Sequence, residues 1–332
     1  MMQTGESQKA FNTFCNNLDI ALPIIGGAMY PCSNPELVAA ISEAGGIGIV
    51  QPLSLTYVHG YDFREGLRYI RSLTSKPIGG NLLIEKSSQR YLDRIKAWLD
   101  ISLEEGVSFF ITALGNPKYY AEKIHTHGGL VYHNTTTRKW AEKALDGGVD
   151  GLICVNDRAG GHAGTEAATK LYEDLVDFGK PLICAGGIAF PRDVARMLDL
   201  GYSGIQMGTR FIATQECNAH SDYKQAILDA GENQIVLTDK LSGVPVSVIE
   251  TDHIKKMGLN AGPFARWLLQ GSKTKKYLRM FYSLRSFRTL KNDRGKAGNY
   301  QHFLQAGKSV SGINQVLPVD EIMESYRQVL TL

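Results

Sequence analysis

The chain has 332 residues, of which 43% are hydrophobic and 21% are charged, and its formal net charge is +3 at pH 7. This length allows one barrel-sized domain with a smaller appendage, and the composition is ordinary for a soluble globular protein. A net charge this small does not by itself indicate a nucleic-acid-binding protein. The five cysteines form no C-x-x-C pair, so we expect neither a disulfide framework nor a zinc site.

The N-terminal region shows no sign of a leader or a membrane anchor. It has no cationic segment followed by an apolar one. The apolar run 18–29 contains Asp19 and Pro23 and is too short to cross a bilayer. We therefore expect a cytoplasmic protein that does not bind membranes.

Short apolar runs alternate with amphipathic segments along the first 230 residues. The predicted strands are 22–29, 46–51, 77–84, 108–114, 130–134, 151–155, 181–185 and 204–207. The predicted helices between them are 35–44, 63–73, 89–105, 117–127, 138–146, 169–178 and 191–200. Continuously apolar strands are expected where helices cover both faces of a sheet. Eight such units predict an α/β fold, the (β/α)8 TIM barrel, and the rival doubly wound sheet lacks its G-x-G-x-x-G motif after the first strand.

The alternation ends near residue 230. Residues 255–296 carry twelve Lys and Arg side chains against one acid, Asp293, with aromatic residues between them. Such a stretch can bind nucleic acid, but it follows a complete barrel, and we favour a cap element without nucleic acid. We predict a barrel over 1–230, a small and mainly helical cap domain over 231–304, and a C-terminal segment over 305–332 that packs back on the barrel.

The stretch 157–164, D-R-A-G-G-H-A-G, directly follows the sixth predicted strand. Glycine clusters mark places where the backbone turns tightly or approaches another group closely. Active sites of TIM barrels lie at the C-terminal ends of the strands. Two interpretations follow for His162: a ligand-facing residue, or a solvent-facing residue in a tight turn.

Other strand ends are also rich in glycine. Those after strands seven and eight occupy the usual phosphate site of this fold, where backbone N–H groups and a hydroxyl can bind an anion. A large, flat, phosphorylated ligand is therefore predicted across the barrel mouth, and FMN fits this description. The alternative is a non-redox, phosphate-binding lyase or isomerase. The predicted ligand-binding residues at the strand ends are Gly27, Ala28, Met29, Asn81, Gly160, Gly161, Gly164, Gly186, Gly187, Gln206, Met207, Gly208 and Thr209.

Six segments together resemble one family. They are N-P-E-L-V-A-A (34–40), S-E-A-G-G-I-G (42–48), A-G-G-H-A-G (159–164), A-G-G-I (185–188), Q-M-G-T-R-F (206–211) and A-G-K-S (306–309). In this order they resemble the nitronate monooxygenases, formerly 2-nitropropane dioxygenases. The resemblance implies non-covalent FMN, held by Asn81, Gly160, Gly187 and the run 206–209. It also implies His162 as catalytic base or hydrogen-bond donor. The implied reaction is oxidation of nitronates, or of neutral nitroalkanes, by O2 to a carbonyl compound and nitrite.

The loop departs from the common family pattern Q-G-x-E-A-G-G-H at three positions. Val155 replaces the Gln, Asn156 replaces the Gly, and Arg158 replaces the Glu. A flavin-contacting amide is therefore missing at Val155, with Asn156 as a substitute next to it, and Arg158 brings a positive charge near the site.

A second reaction stays open. The flavin-dependent enoyl-acyl-carrier-protein reductases share these motifs, including a match to Cys217–His220, Tyr223 and Lys224. Under that alternative the chain would use NAD(P)H, and its basic stretch would dock an acidic carrier protein. A homodimer is an open alternative for the assembly. His133 at the end of strand five either touches the ligand or is hydrogen-bonded to neighbouring protein groups, and no residue set has metal-ligand spacing.

Overall fold

The computed structural model describes residues 5–85, 88–240, 245–259 and 303–330. Eight parallel strands close into a barrel in chain order, from β1 to β8. The strands are β1 Ile24–Gly26, β2 Ile47–Val50, β3 Ile78–Ile84, β4 Phe109–Leu114, β5 Leu130–Thr135, β6 Gly151–Val155, β7 Leu182–Ala185 and β8 Gly204–Met207. The predicted TIM barrel is confirmed.

The helices of the barrel lie between the strands as predicted. They are α2 Pro35–Glu43, α3 Phe63–Leu73, α4 Gln89–Glu104, α5 Lys118–His125, α6 Arg138–Asp146, α7 Ala168–Leu175 and α8 Pro191–Leu200. Two more follow β8, the short α9 Thr209–Ile212 and then α10 Ser221–Asp229. None of the helices described is both long enough and apolar enough to cross a membrane.

One helix, α1 Gly5–Leu18, was not predicted. Its side chains Phe14, Cys15 and Leu18 are buried in the same cluster as the barrel interior. The ring of Phe14 lies 5.9 Å from that of Tyr132 on β5. A side chain at Gly204, the first residue of β8, would collide with Phe14. Helix α1 therefore closes the barrel at the N-terminal ends of its strands.

The alternation of side chains along each strand separates two cores. Ile25, Ile49, Ile153 and Ile183 belong to the inner cluster of the barrel. Their strand neighbours pack outward against the helices, for example Ile24, Val50, Leu152, Leu182 and Ile205. A residue at the end of a strand therefore faces the barrel interior if it lies an even number of positions from an inward-facing residue of that strand. It faces the helix layer if the number is odd.

The described part of the predicted cap contains a small sheet. Strands β9 Ile235–Thr238 and β10 Val246–Ile249 pair antiparallel, and α11 Asp252–Met257 follows. We predicted a mainly helical cap and did not predict this sheet. Most of the basic stretch, from residue 260 to 296, lies outside the described residues, so its proposed role as a cap stays a prediction.

The last described helix, α12 Val319–Leu330, lies against α8 and α2. Tyr326 donates its hydroxyl hydrogen bond to the Ala189 carbonyl at 2.9 Å, and Arg327 donates to the Ala44 carbonyl at 3.1 Å. The five cysteines are buried and free.

Candidate active site at the C-terminal end of the barrel

The loop after β6 is fixed to the loop after β7 by Asn156. This side chain is fully buried. Its Oδ1 accepts from the Arg158 N–H at 2.9 Å, and its Nδ2 donates to the Gly186 carbonyl at 3.0 Å. The idea that Asn156 replaces the missing flavin-contacting amide is therefore not supported by its contacts, because both ends of its amide are engaged by protein groups.

His162 lies between two residues that fix its position. Gly161 has a φ of 68° and accepts a hydrogen bond from the Ser247 N–H of β10 at 2.7 Å. On the other side, Ala163 packs against the inner cluster of the barrel. The side chain of His162 is exposed. It therefore lies at the open end of the barrel, between the barrel interior and β10.

Two glycines of this loop lie against other backbone segments. A Cβ on Gly160 would be 2.9 Å from the Gly307 nitrogen, and a Cβ on Gly164 would be 2.3 Å from the Val155 oxygen. Close backbone packing accounts for glycine at both positions. Their predicted contact with a cofactor stays a prediction.

Arg158 forms an ion pair that the sequence did not suggest. Its Nη1 and Nη2 donate to the two carboxylate oxygens of Glu232 at 2.6 and 2.8 Å. The hydrogen bonds and charge of Arg158 lower the pKa of Glu232 below its ordinary value. This bidentate pair fixes the guanidinium group of Arg158 beside Glu232.

The loop after β7 offers unengaged donors. Gly186 and Gly187 have φ values of 119° and 78°, which favour glycine. The next two N–H groups after Ile188, those of Ala189 and Phe190, donate to the Asp193 carboxylate at 3.0 and 2.8 Å. Among the described residues, the N–H groups of Gly187 and Ile188 have no acceptor. They are available to an anion.

The ends of β1 and β8 lie side by side. The Gly27 N–H donates to the Met207 carbonyl at 2.8 Å, and a Cβ on Gly208 would be 3.5 Å from the Met29 sulfur. Thr209 Oγ1 accepts from the Gly307 N–H at 3.0 Å, and its hydroxyl hydrogen has no acceptor in the part of the chain that the structure describes. The predicted residues of strands one and eight are thus brought together.

Four amide side chains point into the barrel from the C-terminal half of their strands, by the alternation described above. Asn81 and Gln206 were predicted site residues, whereas Gln51 and Asn134 were not. The Gln206 Oε1 and Asn134 Oδ1 atoms are buried, and in the described part of the chain they have no hydrogen-bond partner. A buried polar atom without a partner is costly and requires an explanation such as a missing ligand.

Asn134 could have been found from the sequence by following the two-residue period. Because Tyr132 is inward-facing, Asn134 is too, and it is the next inward position toward the mouth. These orphaned acceptors at the mouth, together with the free N–H groups after β7, fit the polar edge and the phosphate of a flavin.

His133 faces the helix layer. Its Nδ1 lies 2.8 Å from Thr112 Oγ1, and burial lowers its pKa to about 4. His133 is therefore a neutral imidazole on the outer face of the barrel, hydrogen-bonded to a neighbouring protein group. This agrees with the second of the two interpretations given for it above.

Three residues of the motif shared with the reductases form hydrogen bonds to other groups of the protein. His220 caps α10 by accepting from the Asp222 N–H at 3.2 Å, as expected of a capping residue. Tyr223 donates to the Gln305 carbonyl at 2.5 Å and Lys224 to the Thr214 carbonyl at 2.7 Å. Among the described residues no group of three or more His, Cys, Asp or Glu side chains is arranged to hold a metal ion.

Sequence comparison identifies the family. The family model for nitronate monooxygenase matches residues 12–328. A probable nitronate monooxygenase of Staphylococcus saprophyticus is 28% identical over 283 residues, which cover 72% of this chain and 79% of that protein.

Another relative is named as a dehydrogenase and not as a nitronate monooxygenase. The (3aS,4S,5R,7aS)-5-hydroxy-7a-methyl-1-oxo-octahydro-1H-indene-4-carboxyl-CoA dehydrogenase of Rhodococcus jostii is 29% identical over 236 residues. The alignment covers 71% of this chain and 64% of that relative, which is slightly less than two thirds of its length.

Solved structures share the fold over almost the whole chain. FabK from Thermotoga maritima has a TM-score of 0.75 and 26% identity, with 96% of this chain and 97% of that chain covered. A nitroalkane oxidase from Streptomyces ansochromogenes has a TM-score of 0.73 and 22% identity, with 94% and 96% covered. The family match, the relatives and the barrel agree, and the chain therefore belongs to the nitronate monooxygenase family of flavin-dependent oxidoreductases.

Proposed function

We propose that this enzyme uses FMN and O2 to oxidise nitronates, and neutral nitroalkanes after deprotonation, to a carbonyl compound and nitrite. The observation that carries the proposal is the set of unpaired polar groups at the barrel mouth. Within the described ranges of the chain, Gln206 and Asn134 each present a buried oxygen without a partner, and Gly187 and Ile188 present N–H groups without an acceptor. Acceptors on one side and anion-binding donors on the other suit a phosphorylated flavin.

When bound, FMN supplies the redox chemistry, and the protein supplies binding and orientation. In this proposal Gln206, Asn134 and Asn81 accept or donate hydrogen bonds at the polar edge of the ring system. The loops after β7 and β8 hold the phosphate. The continuously apolar inner cluster below the mouth excludes water from the reacting face.

His162 has the role of proton acceptor for a neutral nitroalkane. The unperturbed pKa of histidine is close to neutral, so an imidazole can take a carbon-bound proton and return it to solvent within the physiological pH range. Its position between the inner cluster and β10 supports this role. With a preformed nitronate, the same imidazole donates a hydrogen bond to the nitro oxygens.

The test is product analysis in air. Flavin-loaded enzyme mixed with a simple secondary nitronate is expected to release nitrite and the ketone in equal amounts, with consumption of O2. Free FMN at the same concentration is the control. Nitrite release no faster than with free FMN, from enzyme that retains its flavin, would contradict the proposed substrate.

A second candidate is a flavin-dependent reaction on an acyl thioester with NAD(P)H or NAD(P)+, of which enoyl-acyl-carrier-protein reduction is one form. The observation that favours it is the similarity to the CoA-thioester dehydrogenase of Rhodococcus jostii. Under this alternative, reduced nicotinamide bleaches the bound flavin and nitronates do not. The non-redox alternative is no longer needed, because the family consists of oxidoreductases.

A further inference from the structure

Arg158 lies directly over the loop that follows β7. A Cβ built on Gly187 would be 2.7 Å from Arg158 Nε and 2.9 Å from its Cδ. The N–H group of Gly187 also has no acceptor among the described residues. A guanidinium group and two free backbone donors therefore share one corner of the barrel mouth.

The ion pair with Glu232 leaves Arg158 with donors to spare. A guanidinium has five N–H groups. Glu232 takes one from Nη1 and one from Nη2. The Nε–H, which lies nearest to Gly187, has no acceptor in the described part of the chain. Because the pair with Glu232 is bidentate, it fixes the plane of the guanidinium while keeping this donor free.

The charges of Asp157, Asp193 and Glu232 act on Arg158, and the charge of Lys308 acts on Glu232. Asp193 already occupies the N–H groups of Ala189 and Phe190, and Glu232 lies beside Arg158. A phosphate dianion brought near these two carboxylates is repelled unless a positive charge stands between them. Arg158 is 39% exposed at this position, so it remains accessible to a ligand.

We propose that Arg158 binds the phosphate group of the flavin cofactor, together with the N–H groups of Gly187 and Ile188. The inference rests on the proposed function, since it takes FMN as the cofactor. It also gives a function to Arg158, which replaces the glutamate of the common family pattern. Arg158 is then a cofactor-binding residue, and Glu232 positions it.

The test compares FMN with riboflavin, which has the same ring system but no phosphate. Dissociation constants of both are measured by flavin fluorescence for the wild-type chain, Arg158→Met and Arg158→Lys. Arg192→Met is the matched control, because Arg192 lies on α8 close to the same loop but stacks on the exposed ring of Phe190 at 4.3 Å. A charge-assisted hydrogen bond corresponds to a loss of about 10- to 100-fold in FMN affinity.

The expected result is a loss of this size for FMN in Arg158→Met, a smaller loss in Arg158→Lys, and unchanged riboflavin binding in both. Equal weakening of FMN and riboflavin would show that Arg158 only shapes the loop, and it would overturn the inference. Unchanged FMN affinity in Arg158→Met would overturn it as well. If Arg158→Met does not fold, the ratio of the two affinities in Arg158→Lys decides in the same way. A wild-type chain that binds neither flavin would instead refute the proposed function.

Discussion

Gln206 and Gln51 are both inward-pointing amides of the barrel, but their hydrogen bonding differs. Gln51 Oε1 accepts from the Leu53 N–H at 3.1 Å, and the side chain is 7% exposed. Gln206 Oε1 is buried and has no partner among the residues that the structure describes. Burying an unsatisfied oxygen costs free energy, whereas removing one partner of an existing hydrogen bond leaves the other group unsatisfied.

This contrast predicts opposite effects of the same substitution. In flavin-free protein, Gln206→Met is expected to raise the free energy of unfolding by about 1 kcal/mol, because an unpaired buried oxygen is removed. Gln51→Met is expected to lower it by about 1 kcal/mol, because the Leu53 N–H loses its acceptor. Urea unfolding of the two variants measures both values.

Flavin titration completes the test, since Gln206→Met is expected to weaken flavin binding by about tenfold. A destabilised Gln206→Met protein with normal flavin affinity would show that this amide is structural.

His162 is the residue on which the proposed chemistry depends. His162→Ala is expected to slow flavin reduction by a neutral nitroalkane by roughly 10²- to 10⁴-fold, the usual contribution of a general base. A preformed nitronate needs no deprotonation and is expected to lose much less, so it serves as the control in the same variant. Stopped-flow measurement of flavin absorbance follows both reactions, and the FMN content is expected to stay near that of the wild type. Equal rates of wild type and variant with the neutral substrate would mean that His162 has a structural role.

At the scale of elements, the loop after β7 depends on the loop after β6. A Cβ on Gly186 would be 2.3 Å from Asn156 Oδ1 and 2.6 Å from the Ala159 nitrogen, and the φ of Gly186 is 119°. Gly128, just after α5, has a φ of 72°, but no atom of the described residues lies within 4 Å of an added Cβ. A comparison of the two positions therefore distinguishes the cost of backbone strain, present at both, from the cost of steric collision, present only at Gly186.

Alanine at these positions is expected to have unequal effects. Gly128→Ala is expected to cost about 1 kcal/mol, from the left-handed backbone alone. Gly186→Ala is expected to cost at least about 2 kcal/mol more, because Asn156 and the Ala159 backbone must shift. It is also expected to weaken flavin binding, which Gly128→Ala does not. Chemical denaturation of the two variants checks the order, and equal losses would contradict the tight packing between the loops.

Across the whole molecule, the barrel could be predicted because each strand and helix is marked by residues within its own segment of the sequence. Each strand is a short apolar run, and most helices end near a glycine. Strand β1 is shorter than predicted, Ile24–Gly26 against 22–29. The Gly27 N–H still donates to the Met207 carbonyl, and the chain leaves the barrel ladder after it. Helix α1 was missed because no strand precedes it and the β/α rhythm does not include it.

The site was harder to predict because its contacts are long-range. Arg158 and Glu232 are 74 residues apart in the chain, and no local pattern connects them. The pairing of Gly161 with Ser247 joins the loop to a sheet that was itself not predicted. Asn134 shares the inward face of β5 with Tyr132 and was predictable from the alternation along that strand, whereas the glycines at the strand ends carry no side chain that follows this alternation.

We propose that this barrel holds a flavin that accepts electrons from a nitronate. The most direct measurement is anaerobic mixing of the purified, FMN-loaded enzyme with a nitronate, NADH and NADPH in turn, while the visible flavin absorbance is recorded. We expect the nitronate to bleach the flavin and neither nicotinamide to do so. Bleaching by NADH or NADPH with no response to the nitronate would contradict this proposal and would assign the enzyme to the thioester alternative.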